Sequence, residues 1–164
     1  MRALRYLYVL ALALWLGGMS AAGLIVAPTT FGVLEAWDAV KGRMLAGDVF
    51  GAVLGRLNLV AYAAAVLMML VLTIQRVLGP RPKSYGIRMG LLALMLGATL
   101  YSGNILAPQI DHLQVEVNGP INQLPEGDPR RIAFDKAHQL STSLVTATLV
   151  GALILLGWES REHA

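Results

Sequence analysis

Residues 6–31 read YLYVLALALWLGGMSAAGLIVAPTTF, a run without Asp, Glu, Lys, Arg or His. A bilayer hydrocarbon core about 30 Å thick is crossed by roughly 20 apolar residues in an α-helix. Three more apolar stretches follow, and the predicted spans are residues 6–31, 50–76, 87–110 and 131–158. Because lipid requires each backbone donor to be satisfied within its own helix, we expect an all-α polytopic membrane protein. It would form one four-transmembrane-helix bundle over residues 1–164.

The composition agrees with this fold class. Hydrophobic residues make up 56% of the chain and charged residues 14%, and the mean hydropathy is +0.61. Soluble domains carry about 25% charged residues, so a soluble enzyme is disfavoured. The net charge of +3 is spread over the predicted helix ends and forms no single patch, which excludes a nucleic-acid partner. The absence of cysteine excludes disulfides, thiolate metal sites and iron–sulfur clusters.

The chain repeats itself with an offset of 80 residues. Residues 12–28 and 92–108 share nine of 17 positions, among them the Ala-Pro pairs that end at Pro28 and Pro108. Sequences this rich in Leu, Ala and Gly share roughly two or three by chance. Each unit would be one helical hairpin, so the two hairpins would run parallel, related by an axis along the membrane normal. Convergent apolar composition is the alternative.

The two prolines predict where the first and third helices change. Proline lacks an N–H and disfavours helix in the residue before it, so we expect Pro28 and Pro108 to kink or end their helices. The helical spacing of residues 29–48 predicts a segment along the membrane interface, whereas turn signals predict a loop over residues 109–130. The Asp-Pro pair at 128–129 is typical of a helix start.

Counts of Lys and Arg in the loops predict the orientation. The side with both termini and the middle loop carries seven basic and two acidic residues, and the other side carries six basic and eight acidic ones. We therefore predict a multi-pass protein in the lipid bilayer with both termini cytoplasmic and the first span retained. The middle loop decides this, because it contains four basic residues and no acid: Arg76, Arg81, Lys83 and Arg88.

Polar side chains gather toward the outer ends of the second, third and fourth predicted spans. In the fourth, the spacings of 3, 4 and 4 between Asp135, His138, Thr142 and Thr146 put these residues on one stripe of the helix. Polar groups at membrane depth are costly and usually face the bundle interior. We therefore expect a ligand-binding cluster of Arg56, Asn58, Asn104, Asp135, His138 and Ser141.

Three interpretations of this cluster stay open. Asp135 and His138 lie at i and i+3, and Asp111 or His112 could add a third ligand, giving a nitrogen and oxygen site that suits Zn²⁺ or Cu²⁺. In a purely structural role, Asp135 would instead pair with Arg56, and His138 would hydrogen-bond Ser141 or a helix carbonyl. The third interpretation is a proton relay through His138.

Sequence motifs of catalysis are absent: there is no nucleophile elbow, no Gly-rich phosphate loop and no His-Glu-x-x-His. A bis-histidine haem needs two facing histidines in the membrane, and His138 alone is placed there, so we expect no cofactor. The sequence favours a non-enzymatic protein without deciding the matter. Three function classes remain: a protein that binds or passes a small ligand or metal near the outer membrane face, a structural subunit or assembly partner of a larger membrane complex, and a membrane redox enzyme subunit. A homo-oligomer or a partner from a membrane complex is the expected association.

The motif LWLGG at residues 14–18, followed by VAPTTF at 26–31, resembles the opening of the transmembrane-protein-205-like family, a four-helix group of unknown function. FDKAHQLS at residues 134–141 is similar to that family's second motif, and RLN at 56–58 also fits. Family members often carry Asn a few residues after the serine, where this chain has Val-Thr at 145–146. The resemblance covers nearly the whole chain and implies a small polytopic membrane protein without an established biochemical activity.

Overall fold

The computed structural model describes residues 2–79, 84–117 and 121–161, and all regular structure within them is helical. The elements in chain order are α1 (Arg2–Ala21), a π-helical segment (Ala22–Val26), α2 (Ala27–Trp37), α3 (Lys41–Leu78), α4 (Tyr85–Tyr101), a second π-helical segment (Ser102–Leu106), α5 (Ala107–Val117), a 3-10 turn (Ile121–Gln123) and α6 (Pro129–Arg161).

These elements form four rods that are long and apolar enough to cross a membrane. They are span 1 (Arg2–Trp37), span 2 (Lys41–Leu78), span 3 (Tyr85–Val117) and span 4 (Pro129–Arg161). Spans 1 and 3 each pack against spans 2 and 4, so the four rods form a closed ring of antiparallel neighbours. The prediction of an all-α four-helix membrane bundle is confirmed. We call the end of the bundle that holds both termini the termini end, and the other the far end.

The centre of the bundle is packed mainly with apolar side chains, and the buried hydroxyls of Thr99 and Thr148 bond to carbonyls of their own helices. Each span contributes one fully buried leucine: Leu12, Leu72, Leu92 and Leu155. Gly151 brings span 4 close to span 3, because a Cβ there would lie 2.8 Å from the sulfur of Met95. Lipid chains are as apolar as leucine, so close packing through small residues, rather than escape from water, holds such helices together.

Of the two predicted outcomes, a kink or a helix end, the structure excludes the end at both prolines. Spans 1 and 3 both continue past Pro28 and Pro108. The five residues before each Ala-Pro pair form a wide π turn, and in the second of these the Ala107 N–H donates to the carbonyl of Ser102, five residues back. A proline ring crowds the carbonyl four residues before it and removes a donor. The wider turn relieves that crowding, so the helix continues.

The 80-residue repeat of the sequence is also present in the backbone structure. The π segments Ala22–Val26 and Ser102–Leu106 lie at that offset. Residues 80 positions apart are also buried alike in spans 2 and 4, although the sequences of these spans share little. The two hairpins therefore have the same pattern of buried positions. The equivalent buried positions are Leu12 and Leu92, Trp15 and Met95, Met19 and Thr99, Met68 and Thr148, Val71 and Gly151, and Leu72 and Ala152.

Residues 29–48 do not form the separate interfacial segment that was predicted, because residues 29–37 continue span 1 and residues 41–48 begin span 2. Gly42 permits the tight connection, since any Cβ there would overlap the backbone carbonyl of Leu34. The Asp38 carboxylate accepts backbone hydrogen bonds at the start of α3, including one from the Lys41 N–H at 2.8 Å. These bonds hold the pKa of Asp38 below its ordinary value.

Residues 109–130 are not wholly a loop, because α5 continues span 3 to Val117. The turn predicted at 118–120 and the charges of Arg81, Lys83 and Glu162 lie outside the described residues. The predicted helix start is found: α6 begins at residue 129, and the Arg130 N–H donates to Oδ1 of Asp128 at 2.9 Å.

Candidate functional site

The polar stripe of span 4 does not face the bundle interior: Asp135, His138, Thr142 and Thr146 are all exposed. Both threonine hydroxyls donate to carbonyls one turn back on their own helix, each at 2.9 Å. The His138 ring stacks on Phe134, with centroids 5.8 Å apart. A helix of 33 residues is about 50 Å long against about 30 Å of hydrocarbon, so span 4 is long enough to extend beyond the membrane core. The inward orientation predicted for this stripe is therefore wrong.

The structure does not pair Asp135 with Arg56, and both side chains are exposed. A carboxylate oxygen of Asp135 lies instead 4.0 Å from Nε of Arg131, one turn earlier on the same helix. Among the residues that the structure describes, no group of three or more His, Asp or Glu side chains could hold a metal ion. Asp135, His138 and His112 are therefore not assembled into a metal site.

Two predicted residues do meet polar partners across helices. The hydroxyls of Ser141 and Ser102 share a hydrogen bond of 2.9 Å, which joins spans 3 and 4. Nδ2 of Asn104 donates to the Tyr62 hydroxyl at 3.3 Å, and that hydroxyl lies 3.4 Å from the carbonyl of Thr99, which joins spans 2 and 3. Both contacts use residues of the second π segment.

Gly103 makes room for the contact between spans 2 and 3. A Cβ there would lie 2.5 Å from Oη of Tyr62 and 2.8 Å from Nδ2 of Asn58, so a larger residue would displace both side chains. Asn58 was predicted for the site, and Tyr62 was not. A single tyrosine on an apolar helix gives no signal of its own, but Tyr62 lies one turn after Asn58 on the same helix face.

A groove of about 540 Å³ opens between spans 3 and 4 toward the far end. Apolar side chains of both spans cover most of its wall, and three polar side chains stand among them. The apolar lining includes Leu106, Ile132 and Leu140, and the three polar side chains are those of Tyr101, Gln109 and Lys136.

An ionic cluster, formed by the half-buried Arg5 and the buried Tyr8, Arg88 and Glu159, occupies the termini end. Oε1 of Glu159 accepts a hydrogen bond from Nε of Arg5, and Oε2 accepts one from Nη2 of Arg88, both at 2.7 Å. The Arg88 guanidinium lies 4.8 Å from the centre of the Tyr8 ring. These contacts connect spans 1, 3 and 4. They lie inside the bundle, because Arg88 is only 2% exposed and Glu159 only 6% exposed.

Counting loop charges assigned Arg88 to the middle loop and Glu159 to the C-terminal tail, although the predicted span 87–110 already contained Arg88 and the spacing of apolar residues gave a helical signal for both. Arg88 precedes the buried Leu92 by four residues and the buried Met95 by seven, and Glu159 follows the buried Leu155 by four. Residues at these spacings share one helix face, so both charges belong to the core-facing side of their spans.

Comparison with protein families identifies a domain in the chain. The model of a domain of unknown function (DUF4149) matches residues 10–118, about two thirds of the chain. The matched part contains both π segments and ends before span 4. No curated protein and no solved structure matches the chain.

Proposed function

The chain belongs to the DUF4149 family, whose activity is not established, and we propose that it is a non-enzymatic, multi-pass membrane protein that binds a lipid-like amphiphile with an anionic head group. The observation that carries the proposal is the groove between spans 3 and 4. Its volume of about 540 Å³ lies within the range of small-molecule sites, roughly 300–1,000 Å³.

The arrangement of the groove fits an amphiphile along the helix axis. Lys136 lies seven residues, or about 10 Å, into span 4, and Leu140 lies one further turn toward the bilayer centre. A negative head group beside Lys136 would therefore lie at the interface, where Gln109 and the Tyr101 hydroxyl offer further hydrogen bonds. The acyl chain would follow Leu140 toward the membrane interior.

In the proposed orientation both termini are cytoplasmic, so the groove belongs to the outer leaflet. The basic middle loop supports that orientation. The predicted partnership in a homo-oligomer or a larger membrane complex stays a prediction, which a native mass measurement of the purified protein tests. The likeness to the transmembrane-protein-205-like family stays a prediction as well.

A photoreactive ligand tests the groove. The protein in phosphatidylcholine vesicles is irradiated with a diazirine analogue of palmitate, and the cross-linked peptides are mapped. We expect cross-links to concentrate on residues 101–109 and 129–140. Ala133→Trp, which fills the groove, should abolish them, whereas Ala147→Trp, an exposed position elsewhere on span 4, should leave them unchanged.

The head-group contact has its own pair of variants. One cation near a membrane surface contributes about 1 kcal/mol toward an anionic lipid, which is roughly a fivefold change in affinity. Lys136→Gln should therefore lower the cross-linking yield at limiting probe about fivefold, and Lys41→Gln, an exposed lysine at the same end, should not. Cross-links spread evenly over the exposed helix faces, or equal losses from the two lysine variants, would refute the proposal.

A further inference from the structure

The ionic cluster at the termini end has an excess of positive charge. Glu159 supplies one carboxylate, and its two oxygens are taken by two guanidinium groups, those of Arg5 and Arg88. The side chains of Arg88 and Glu159 are 3% and 8% exposed, whereas that of Arg5 is 40% exposed. Arg5 is therefore the member of the cluster whose positive charge is accessible to molecules outside the bundle.

Arg5 keeps donors for a second acceptor. Within the described part of the chain its hydrogen bond to Glu159 uses Nε alone, and the two terminal nitrogens of the guanidinium make no hydrogen bond there. A guanidinium with two parallel N–H groups binds the oxygens of a phosphate in a bidentate manner. The bond to Glu159 holds the planar group in place, so little side-chain entropy is lost when it binds an anion.

A second cation and an apolar surface adjoin Arg5. Arg2 is exposed and precedes Arg5 by three residues, so the two guanidinium groups lie on one face of span 1. The apolar run begins at Tyr6, and Tyr6, Leu7 and Leu10 are each 40% exposed or more. Arg5 thus lies where the hydrocarbon begins, at the depth of lipid phosphates, with exposed apolar side chains along the path of the acyl chains.

We propose that Arg5 and Arg2 form a binding site for the phosphate group of an anionic phospholipid in the leaflet at the termini end. Glu159 and Arg88 set the position of Arg5, and Glu159 does not neutralise it fully. The site is separate from the groove at the far end and does not depend on it.

Tryptophan quenching tests the site, because Trp158 is half-buried and directly precedes Glu159. The parent protein carries Trp37→Phe, which removes the exposed tryptophan of the far end, while Trp15 stays buried in the core. It is reconstituted in phosphatidylcholine vesicles that contain brominated phosphatidylglycerol, or brominated phosphatidylcholine at the same fraction. We expect stronger quenching by the phosphatidylglycerol at equal mole fraction.

Matched arginine variants separate a site from general surface charge. Arg5→Gln should weaken the preference for phosphatidylglycerol about fivefold or more, by the contribution of one cation near the surface. Arg2→Gln lies outside the ion pair and keeps the fold, and it should weaken the preference to a similar degree. Arg76→Gln removes an exposed arginine of the same end, stacked on Tyr85 outside the cluster, and should have little effect. Equal losses from Arg2→Gln and Arg76→Gln would overturn the proposal.

A further arm distinguishes the source of the phosphate. Inorganic phosphate is added to the vesicles at millimolar concentration, and we expect the quenching by brominated phosphatidylglycerol to remain. If inorganic phosphate displaces the lipid, the site belongs to a soluble phosphate and the lipid assignment is overturned.

Discussion

Asp128 holds the first turn of α6 with one carboxylate. Its Oδ1 accepts the Arg130 backbone N–H at 2.9 Å, and its Oδ2 accepts Nη2 of the same arginine at 2.8 Å. The Arg130 guanidinium and backbone N–H lower the pKa of Asp128 from 3.8 to about 2. A carboxyl group whose pKa is lower in the folded state stabilises the fold above its unfolded pKa, and that stability is lost as the pH falls toward the folded pKa.

The wild-type protein should therefore lose thermal stability between about pH 4 and pH 2, and Asp128→Asn should lose less over that interval. The measurement is the unfolding midpoint in detergent micelles, followed by circular dichroism at each pH. Asp135→Asn is the control, since Asp135 is exposed and its contact with Arg131 is 4.0 Å long. A pH profile of Asp128→Asn that parallels the wild type would contradict this role of Asp128.

Glu159 is the carboxylate that pairs with both Arg5 and Arg88 at the termini end. Removing one partner of a buried ion pair costs about 3–5 kcal/mol, because the other charge is left uncompensated. We expect that loss of unfolding free energy for Glu159→Ala, with Arg88 as the stranded charge. The double variant Glu159→Ala with Arg88→Met should recover much of it. Asp135→Ala, which removes only an exposed contact, should cost about 0–1 kcal/mol.

Equilibrium unfolding in mixed micelles with increasing dodecyl sulfate measures these differences. If the double variant is no more stable than Glu159→Ala, Glu159 does not stabilise the bundle through Arg88. If Asp135→Ala destabilises as much as Glu159→Ala, the exposed contact is the stronger of the two and the argument from burial fails.

At the scale of the element, the two π segments provide a control for each other. Gly103 lies in the second segment, and Gly23 is its equivalent in the first. A Cβ at Gly103 meets Tyr62 and Asn58, whereas a Cβ at Gly23 meets nothing within 4 Å. Gly103→Ala should therefore destabilise the protein by about 1–3 kcal/mol through overpacking. Gly23→Ala should be close to neutral, and equal effects of the two variants would show that the contact with Tyr62 does not matter.

The four helices could be predicted from the sequence, but their lengths could not. A search for charge-free runs finds the part of a helix that lies in hydrocarbon. It does not detect polar continuations of a helix such as residues 109–117, whose polar side chains are typical of any exposed helix. The sequence left open whether Pro28 and Pro108 kink or end their helices, because the effect of a proline depends on whether a wider turn can form before it.

The candidate site was predicted less well, because the sequence does not show how deep in the membrane each polar side chain lies. Asp135 and His138 were placed inside because polar groups are costly in lipid, yet span 4 is long enough to hold both beyond the hydrocarbon. Arg88 and Glu159 were placed outside because charges mark helix ends, yet both lie on the core face and neutralise each other in part. The spacing of the buried residues around them was the better guide.

In the molecule as a whole, the two hairpins have the same backbone arrangement but differ in the polarity of their buried side chains. Five buried residues in the described part of the chain are polar or charged, and all of them belong to the second hairpin: Arg88, Thr99, Ser102, Thr148 and Glu159. The equivalent positions of the first hairpin, 80 residues earlier, are Tyr8, Met19, Ala22, Met68 and Gly79. The first hairpin is thus apolar at these buried positions, and it contributes to the polar contacts through half-buried side chains such as Arg5 and Tyr62.

The orientation of this asymmetric bundle decides which leaflet each end meets, and single cysteines can measure it. The chain has no cysteine of its own, so one introduced thiol is the only target for a maleimide. Ser84 and Glu126 are exposed, lie outside the four spans and mark the termini end and the far end. Because basic loops are retained in the cytoplasm, a membrane-impermeant maleimide should label Glu126→Cys in intact cells. Ser84→Cys should react only after permeabilisation, and the reverse pattern would place the basic loop outside and the groove in the cytoplasmic leaflet.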